Sequence, residues 1–263
     1  MSATGPDIVS GQEDTGGLLA LAVAAARGAG DLLAARGEGF QGVVVEEGRD
    51  IKLAADRSAE VSIVAHLRAG ADLPVLGEET GWHGEQGDRF WVVDPLDGSA
   101  NYQRHIPFCA VAIALMAGER PVLGVIHDFN HGETFAGGEG IPATLNGEPI
   151  QVSDRADPAR SVLVSGLPVK ADFSPEALAA MAAEFAAWKK VRMMGSAAMA
   201  AAYVAAGRVD RYAESGVRLW DVAAGIALVR AAGGRAELSL GAPEAPRSVR
   251  IDNGLLPVAP LSG

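Results

Sequence analysis

The run Trp91-Val92-Val93-Asp94-Pro95-Leu96-Asp97-Gly98-Ser99-Ala100-Asn101-Tyr102 constrains the fold more than any other stretch of the chain. Its apolar start, residues 90–93, reads as a strand buried in a sheet. That strand delivers Asp94 to its end, where Pro95 fixes φ and removes a backbone donor. Asp97 follows, and Gly98-Ser99 then opens a turn or a helix. Two carboxylates are thereby expected to converge beside backbone N–H groups. Hard divalent cations take carboxylate and carbonyl oxygens, and phosphate oxygens take N–H groups at a helix start. The same residues also suit a plain turn, because Asp, Pro and Gly dominate turns, so the short motif alone leaves both readings open. An EF-hand is excluded: Gly98 stands fifth from Asp94 where that loop needs it sixth, and residues 101–106 supply no glutamate.

Other stretches narrow the choice. Leu76-Gly77-Glu78-Glu79-Thr80 lies upstream, and Leu219-Trp220-Asp221-Val222-Ala223-Ala224-Gly225 lies downstream, closed by Gly233-Gly234. Between them stands Gly195-Ser196-Ala197-Ala198. Together with Asp94-Pro95-Leu96-Asp97-Gly98-Ser99-Ala100-Asn101-Tyr102, this ordered set resembles the signatures of the inositol monophosphatase superfamily, from about residue 18 to about residue 253. The resemblance implies an α/β fold, a layered α-β-α-β-α sandwich with two subdomains. Residues 1–16 are then a flexible leader, residues 17–152 an N-terminal α+β subdomain carrying most of the metal ligands, and residues 153–263 a C-terminal α/β subdomain completing the site. One departure stands out. Relatives usually finish with a helix after the position of Asn253, whereas residues 255–263 are few and hold two prolines, which leaves room for a weaker edge or a changed dimer surface.

The resemblance also assigns roles. Glu78, Asp94 and the Leu96 carbonyl would hold a first Mg²⁺; Asp94, Asp97 and Asp221 would hold a second, with Asp94 as the bridge. A third, weaker ion would sit on Glu78 with waters. Asp56, in Lys52-Leu53-Ala54-Ala55-Asp56, would accept a proton through the hydroxyl of Ser99, so that Asp56, Ser99 and Glu78 form the catalytic set. Relatives usually carry Thr at the position of Ser99; serine keeps the hydroxyl and loses the methyl that restricts its rotamer. Leu53-Ala54 departs from the family's Val-Thr, which leaves a helix N-cap as the competing role for Asp56. Gly98 and Ser99 would bind phosphate through backbone N–H groups, while Gly195, Ser196, Ala197 and Glu214 would line the alcohol side. An ordinary surface carboxylate is the alternative for Glu214. Glu79 is expected behind the ligands rather than among them.

The implied activity is Mg²⁺-dependent hydrolysis of a small phosphate monoester, most simply inositol monophosphate or a related polyol phosphate. Magnesium would neutralise phosphate oxygens, lower the pKa of a bound water and stabilise the leaving alkoxide. Within the enzyme class a 3′(2′),5′-bisphosphate nucleotidase, a histidinol-phosphate phosphatase or a fructose bisphosphatase remains open. Asn101-Tyr102 favours the inositol type over nucleotidases, which commonly carry Lys-Glu-Phe there. A catalytically silent phosphate-binding protein is the alternative of another class.

Composition agrees with a small-molecule enzyme. With 22 basic and 33 acidic residues the net charge is −11, which opposes nucleic acid, whose binding rests on Lys and Arg. Cys109 is the single cysteine, so no intrachain disulfide is possible; this suits a cytoplasmic protein. It lies in an apolar strand and reads as a buried, inert thiol. Residues 18–35 are rich in Ala and Leu, but Arg27 and Asp31 interrupt them and acidic residues precede them, so an amphipathic helix is expected and no membrane partner. Relatives are usually homodimers, and the chain is 49% hydrophobic, so a homodimer is expected. His127 and His131 have a zinc-like separation, but their strand-and-turn context argues against a site. Trp91 and Trp220 flank key aspartates as core residues.

The spacing predicts helices over residues 18–36, 56–69, 174–188 (Ser174 as N-cap, Pro175 first), 196–206 and 221–232. Strands are expected at 42–45, 74–76, 109–116, 121–127, 133–136, 162–165, 209–213, 236–240 and 249–252 besides the central one. Residues 46–50 and 81–88 read as turn and loop. The formal dinucleotide pattern at 138–143 is rejected, since Pro142 and the Asn146-Gly147 turn leave no helix for a pyrophosphate.

Overall fold

The computed structural model describes residues 15–35, 43–47, 50–167 and 171–258. Among these the chain runs α1 (Thr15–Ala35), β1 (Val43–Glu47), β2 (Asp50–Leu53), α2 (Ala54–Gly70), β3 (Val75–Gly77), β4 (Gly81–His83), β5 (Arg89–Asp97), α3 (Ser99–Gln103), β6 (Ala110–Ala117), β7 (Arg120–Asp128), β8 (Glu133–Gly138), β9 (Ile141–Leu145) and β10 (Glu148–Pro149). It continues through β11 (Val162–Ser165), α4 (Pro175–Ala186), β12 (Lys190–Met193), α5 (Ala197–Ala205), β13 (Arg211–Val217), α6 (Leu219–Ala231), β14 (Arg235–Leu238) and β15 (Arg247–Asp252).

Alternation along the strands builds the layers. On β6, Ala110, Ala112, Ala114 and Met116 face one core, while Val111, Ile113 and Leu115 face another. Side chains on a strand point to opposite faces in turn, so a strand that is apolar throughout needs cover on both sides. On one side that cover is α1 and α2, whose Leu18, Ala22, Leu33, Ile63 and Leu67 are buried against the sheet. On the other it is α5 and α6, which also pack against the second sheet. The first sheet has the order β10-β9-β8-β7-β6-β5-β3-β4, and the second β12-β11-β13-β15-β14. On the far face of the second sheet, Phe185 at the end of α4 packs with Leu163, Trp188 and Leu256. The layer order is therefore α-β-α-β-α, as the resemblance implies. β1 and β2 form a separate antiparallel hairpin.

Among the described residues α1 alone is long and apolar enough to cross a bilayer. Here it is stitched to its neighbours: Tyr102 donates its hydroxyl to the Leu33 carbonyl at 2.8 Å, and Arg27 Nε donates to Thr134 Oγ1 at 3.1 Å.

Several expectations need correction. α1 begins at Thr15, inside the expected leader, the remainder of which lies outside the described residues. Glu46, Glu47 and Asp50, expected in a turn, belong to paired strands, β1 and β2. Residues 81–83, expected as loop, pair antiparallel with β3. β5 does not end at Asp94; it runs through Pro95 to Asp97. Its register with β6 slips between Asp94 and Asp97, and a bulge is where a strand tolerates proline. β13 runs on to Val217, so Glu214 lies on a strand, and β9, β10 and β12 had no expected counterpart. Hairpin β8–β9 occupies the rejected dinucleotide pattern.

Candidate active site

Strand pairing sets the first two carboxylates side by side. β3 and β5 are parallel, with Leu76 opposite Val92 and Gly77 opposite Val93. The next residues are Glu78 and Asp94, and the Glu78 N–H continues the ladder to the Val93 carbonyl at 3.1 Å. Asp94 shares the sheet face of Phe90 and Val92, the face covered by α6. α6 carries Asp221 in its first turn. Oxygens of Glu78, Asp94 and Asp221 accordingly lie within 4.8 Å of one another, the one such group of three or more acidic, histidine or cysteine ligands among the described residues.

Asp97 borders the same cleft but is turned toward the start of α5. Its Oδ2 accepts from the Ser196 hydroxyl and, at 2.7 Å, from the Ala198 N–H. Ser196 also caps α5, accepting the Met199 N–H at 3.2 Å. Asp221 Oδ2 accepts the Arg218 N–H at 2.6 Å, which leaves its other oxygen for the cluster. Asp94 Oδ1 accepts the Leu96 N–H at 3.0 Å.

Burial and mutual repulsion hold the carboxyls of this cluster above their ordinary range. Burial, then the charges of Glu78, Asp97 and Asp221, hold the Asp94 carboxyl well above the usual range. Burial, then Asp97, pushes Asp221 up to about 8. Burial raises Asp97 to about 6 against the lowering hydrogen bonds from Ser196 and the backbone. No lysine or arginine is among the described residues lining the cleft, whose volume is about 480 Å³. The donors are carboxylates and the Leu96 carbonyl, a set that fits a hard, oxygen-seeking ion.

The remaining expected residues fall around this centre. Ser99 Oγ lies 3.0 Å from the Leu96 carbonyl and 3.4 Å from Asp56 Oδ1. Asp56 is buried in the first turn of α2, inside the helix rather than at its N-cap. Gly98 takes φ 90°, and a Cβ there would stand 3.0 Å from the Phe108 carbonyl and 3.1 Å from that of Gly195, so both backbone and space demand glycine. The α3 turn that it begins is five residues long. Gly98, Ser99, Gly195, Ser196, Ala197 and Glu214 all line the cleft. Glu214 accepts the Tyr212 hydroxyl at 3.0 Å, and burial raises its carboxyl to about 7. His127 and His131 are engaged elsewhere, with Thr134 and Asp128. Cys109 is buried, and Trp91 and Trp220 belong to the two cores.

The family model described as the inositol monophosphatase family matches residues 16–254.

The chain belongs to the inositol monophosphatase family.

The "Nus factor SuhB" of Xylella fastidiosa is 40% identical over 216 residues, covering 81% of this chain and 78% of that protein. The inositol monophosphatase structure from Anabaena (Nostoc) superposes with a TM-score of 0.80 at 33% identity, covering 92% of this chain and 93% of that one. The extragenic suppressor protein suhB of Bartonella henselae gives 0.78 at 32% identity, covering 88% and 93%. Membership in this family supports a phosphatase and agrees with the acidic cluster as a cation site.

Within this inositol monophosphatase fold two residues matter that sequence reasoning passed over or read differently. In the sequence Asn101 marks only the substrate type; its side-chain amide donates to the carbonyls of Phe108 at 2.8 Å and Met194 at 2.7 Å, tying the Gly195 loop to the central motif. Glu60, on α2, is fully buried and receives the Glu79 N–H at 2.9 Å. The one sequence signal for Glu60 is a carboxylate amid the apolar positions Ala59, Ile63 and Leu67.

Proposed function

We propose that the chain hydrolyses a small phosphate monoester with magnesium as cofactor, and that its substrate is a polyol phosphate such as inositol monophosphate. The cluster of Glu78, Asp94 and Asp221, with Asp97 beside it, carries this reading. Clustered like charges repel one another, and a shared divalent cation inverts that field. An all-oxygen donor set suits magnesium better than metals that seek thiolate or imidazole. Two or three ions held by Glu78, Asp94, Asp97, Asp221 and the Leu96 carbonyl would neutralise phosphate oxygens, favour ionisation of the attacking water and stabilise the departing alkoxide.

The protein's own groups do the remaining work. The Ser99 hydroxyl relays a proton: it accepts one from the attacking water as its own passes to Asp56, 3.4 Å away. Asp56 is 2% exposed, so bulk water scarcely competes for its oxygen. Gly98 and Ser99 orient the phosphate with their N–H groups. Gly195, Ser196 and Ala197 form the facing wall, held in place through Asn101. Glu214 lines the same cleft, and its carboxylate accepts hydroxyl protons of a polyol. That feature favours a polyol over an alcohol with no further hydroxyl.

The test is phosphate release from inositol monophosphate, with EDTA and with Mg²⁺ restored. Turnover that EDTA stops and Mg²⁺ revives is expected. Turnover indifferent to EDTA, or revived only by Zn²⁺, overturns the metal assignment. A strong preference for 3′-phosphoadenosine compounds makes the chain a nucleotidase, and phosphate binding without turnover makes it a binding protein. The name Nus factor belongs to the relatives; for this chain a net charge of −11 argues against gripping nucleic-acid phosphates directly.

A further inference from the structure

We infer that Glu60 is a positioning residue that holds Glu78 in its metal-binding orientation; this rests on the metal site proposed above. Glu60 is 0% exposed. A carboxylate is rarely buried to that degree unless both oxygens are satisfied. Both are taken by the turn that follows β3. Oε2 accepts the Glu79 N–H at 2.9 Å, and Oε1 accepts the Thr80 hydroxyl. Thr80 Oγ1 is in turn hydrogen-bonded to Nε2 of His83, at the end of β4.

Glu78 lies between these anchors. Behind it is Gly77, where a Cβ would stand 2.4 Å from the Glu60 carboxyl carbon, so only glycine lets the carboxylate lie against this backbone. Ahead of it are Glu79 and Thr80, both bonded to Glu60. Across from it the Val93 carbonyl accepts its N–H at 3.1 Å. Glu78 itself is only half-buried and lies past the last β3 residue, in the turn that the pairing of Gly77 with Gly81 closes. Within that turn Glu60, from α2, holds the two residues that follow Glu78. It does not line the cleft, which separates it from the ligands themselves. Groups that orient a ligand in this way typically change metal affinity by about 10–100-fold when altered.

The experiment is calorimetric titration of Mg²⁺ alone into the purified chain, with thermal melting recorded in EDTA. Glu60→Gln keeps the shape but places an amide where the Thr80 hydroxyl donates. Thr80→Val removes the hydroxyl, and Thr80→Ser retains it. Glu60→Gln and Thr80→Val are expected to bind Mg²⁺ at least about tenfold more weakly, and Thr80→Ser to bind like the wild type. A merely structural role lowers the melting temperature and leaves the affinity alone, so unchanged affinity in Glu60→Gln and Thr80→Val overturns the inference whatever their melting temperatures. Should Glu60→Gln fail to fold, the Thr80→Val and Thr80→Ser pair decides on the same criterion. Asp94→Asn separates the two levels. If it loses Mg²⁺ while Glu60→Gln and Thr80→Val keep it, the inference about Glu60 alone is wrong. If wild type and Asp94→Asn take up Mg²⁺ alike, or neither does, the metal site is wrong and the inference falls with it.

Discussion

Asp97→Asn should make the metal-free protein more stable while disabling it. Burial raises the Asp97 carboxyl from an ordinary 3.8 to about 6. The folded state therefore holds a proton that the unfolded chain has released between those pH values, and folding loses stability as pH rises through them. Above pH 6 the loss is complete. At about 1.4 kcal/mol per pH unit the interval corresponds to on the order of 3 kcal/mol at pH 8 and less than about 1 kcal/mol at pH 4. Asparagine cannot ionise, and its carbonyl can still accept from Ser196 and Ala198, as the aspartate does. For a chain of this size the gain at pH 8 corresponds to a melting temperature higher by roughly 6–12 °C. The assay is thermal unfolding of wild type and Asp97→Asn at pH 4 and pH 8, in EDTA and in saturating Mg²⁺. In EDTA the variant should lead at pH 8, with the gap nearly closed at pH 4. Added Mg²⁺ should raise the wild type more than the variant, because a ligand at free concentration c that binds only the folded state stabilises it by RT ln(1 + c/Kd), and the variant binds the ion more weakly. Turnover of the variant should be at least about tenfold lower, as expected on losing part of a metal clamp. A variant that melts at or below the wild type at pH 8 in EDTA would refute the argument, since the carboxylate would then not be a buried charge awaiting a cation.

Ser99→Ala should lower kcat by about 10²-fold or more if its hydroxyl relays the proton to Asp56, whereas Ser99→Thr should retain or exceed wild-type turnover; steady-state kinetics at saturating Mg²⁺ checks both. Glu214→Ala should reduce kcat/KM on inositol monophosphate more than on p-nitrophenyl phosphate, because the metals and the Gly98-Ser99 turn act on the phosphate common to both; equal losses would remove Glu214 from alcohol recognition. Light scattering at micromolar concentration should give the mass of a dimer: α4 has no buried residue, and Phe173, Leu178 and Met193 are exposed around it and the edge strand β12. A monomer at 27.0 kDa would remove that expectation.

What the sequence determined by itself is local. Ser174 caps its helix where a hydroxyl precedes a helical run, because capping needs only a neighbour a few residues on. The Asp-Pro-Leu-Asp-Gly-Ser run announced a sharp carboxylate-bearing turn for the same reason, and its resemblance to a family named the fold and the candidate ligands. Only the tertiary structure decided how those ligands meet. Parallel pairing of β3 with β5 makes Glu78 and Asp94 neighbours, and the packing of α6 on that sheet face adds Asp221. The bulge that carries β5 past Pro95 and turns Asp97 toward α5 depends on register with β6, which no local pattern encodes. β4, β9 and β12 are short strands whose partners, not their composition, make them strands. Glu60 is the sharpest case: along α2 it is one acidic residue among apolar ones, and its meaning comes from backbone N–H and hydroxyl donors that only the folded turn after β3 presents to it.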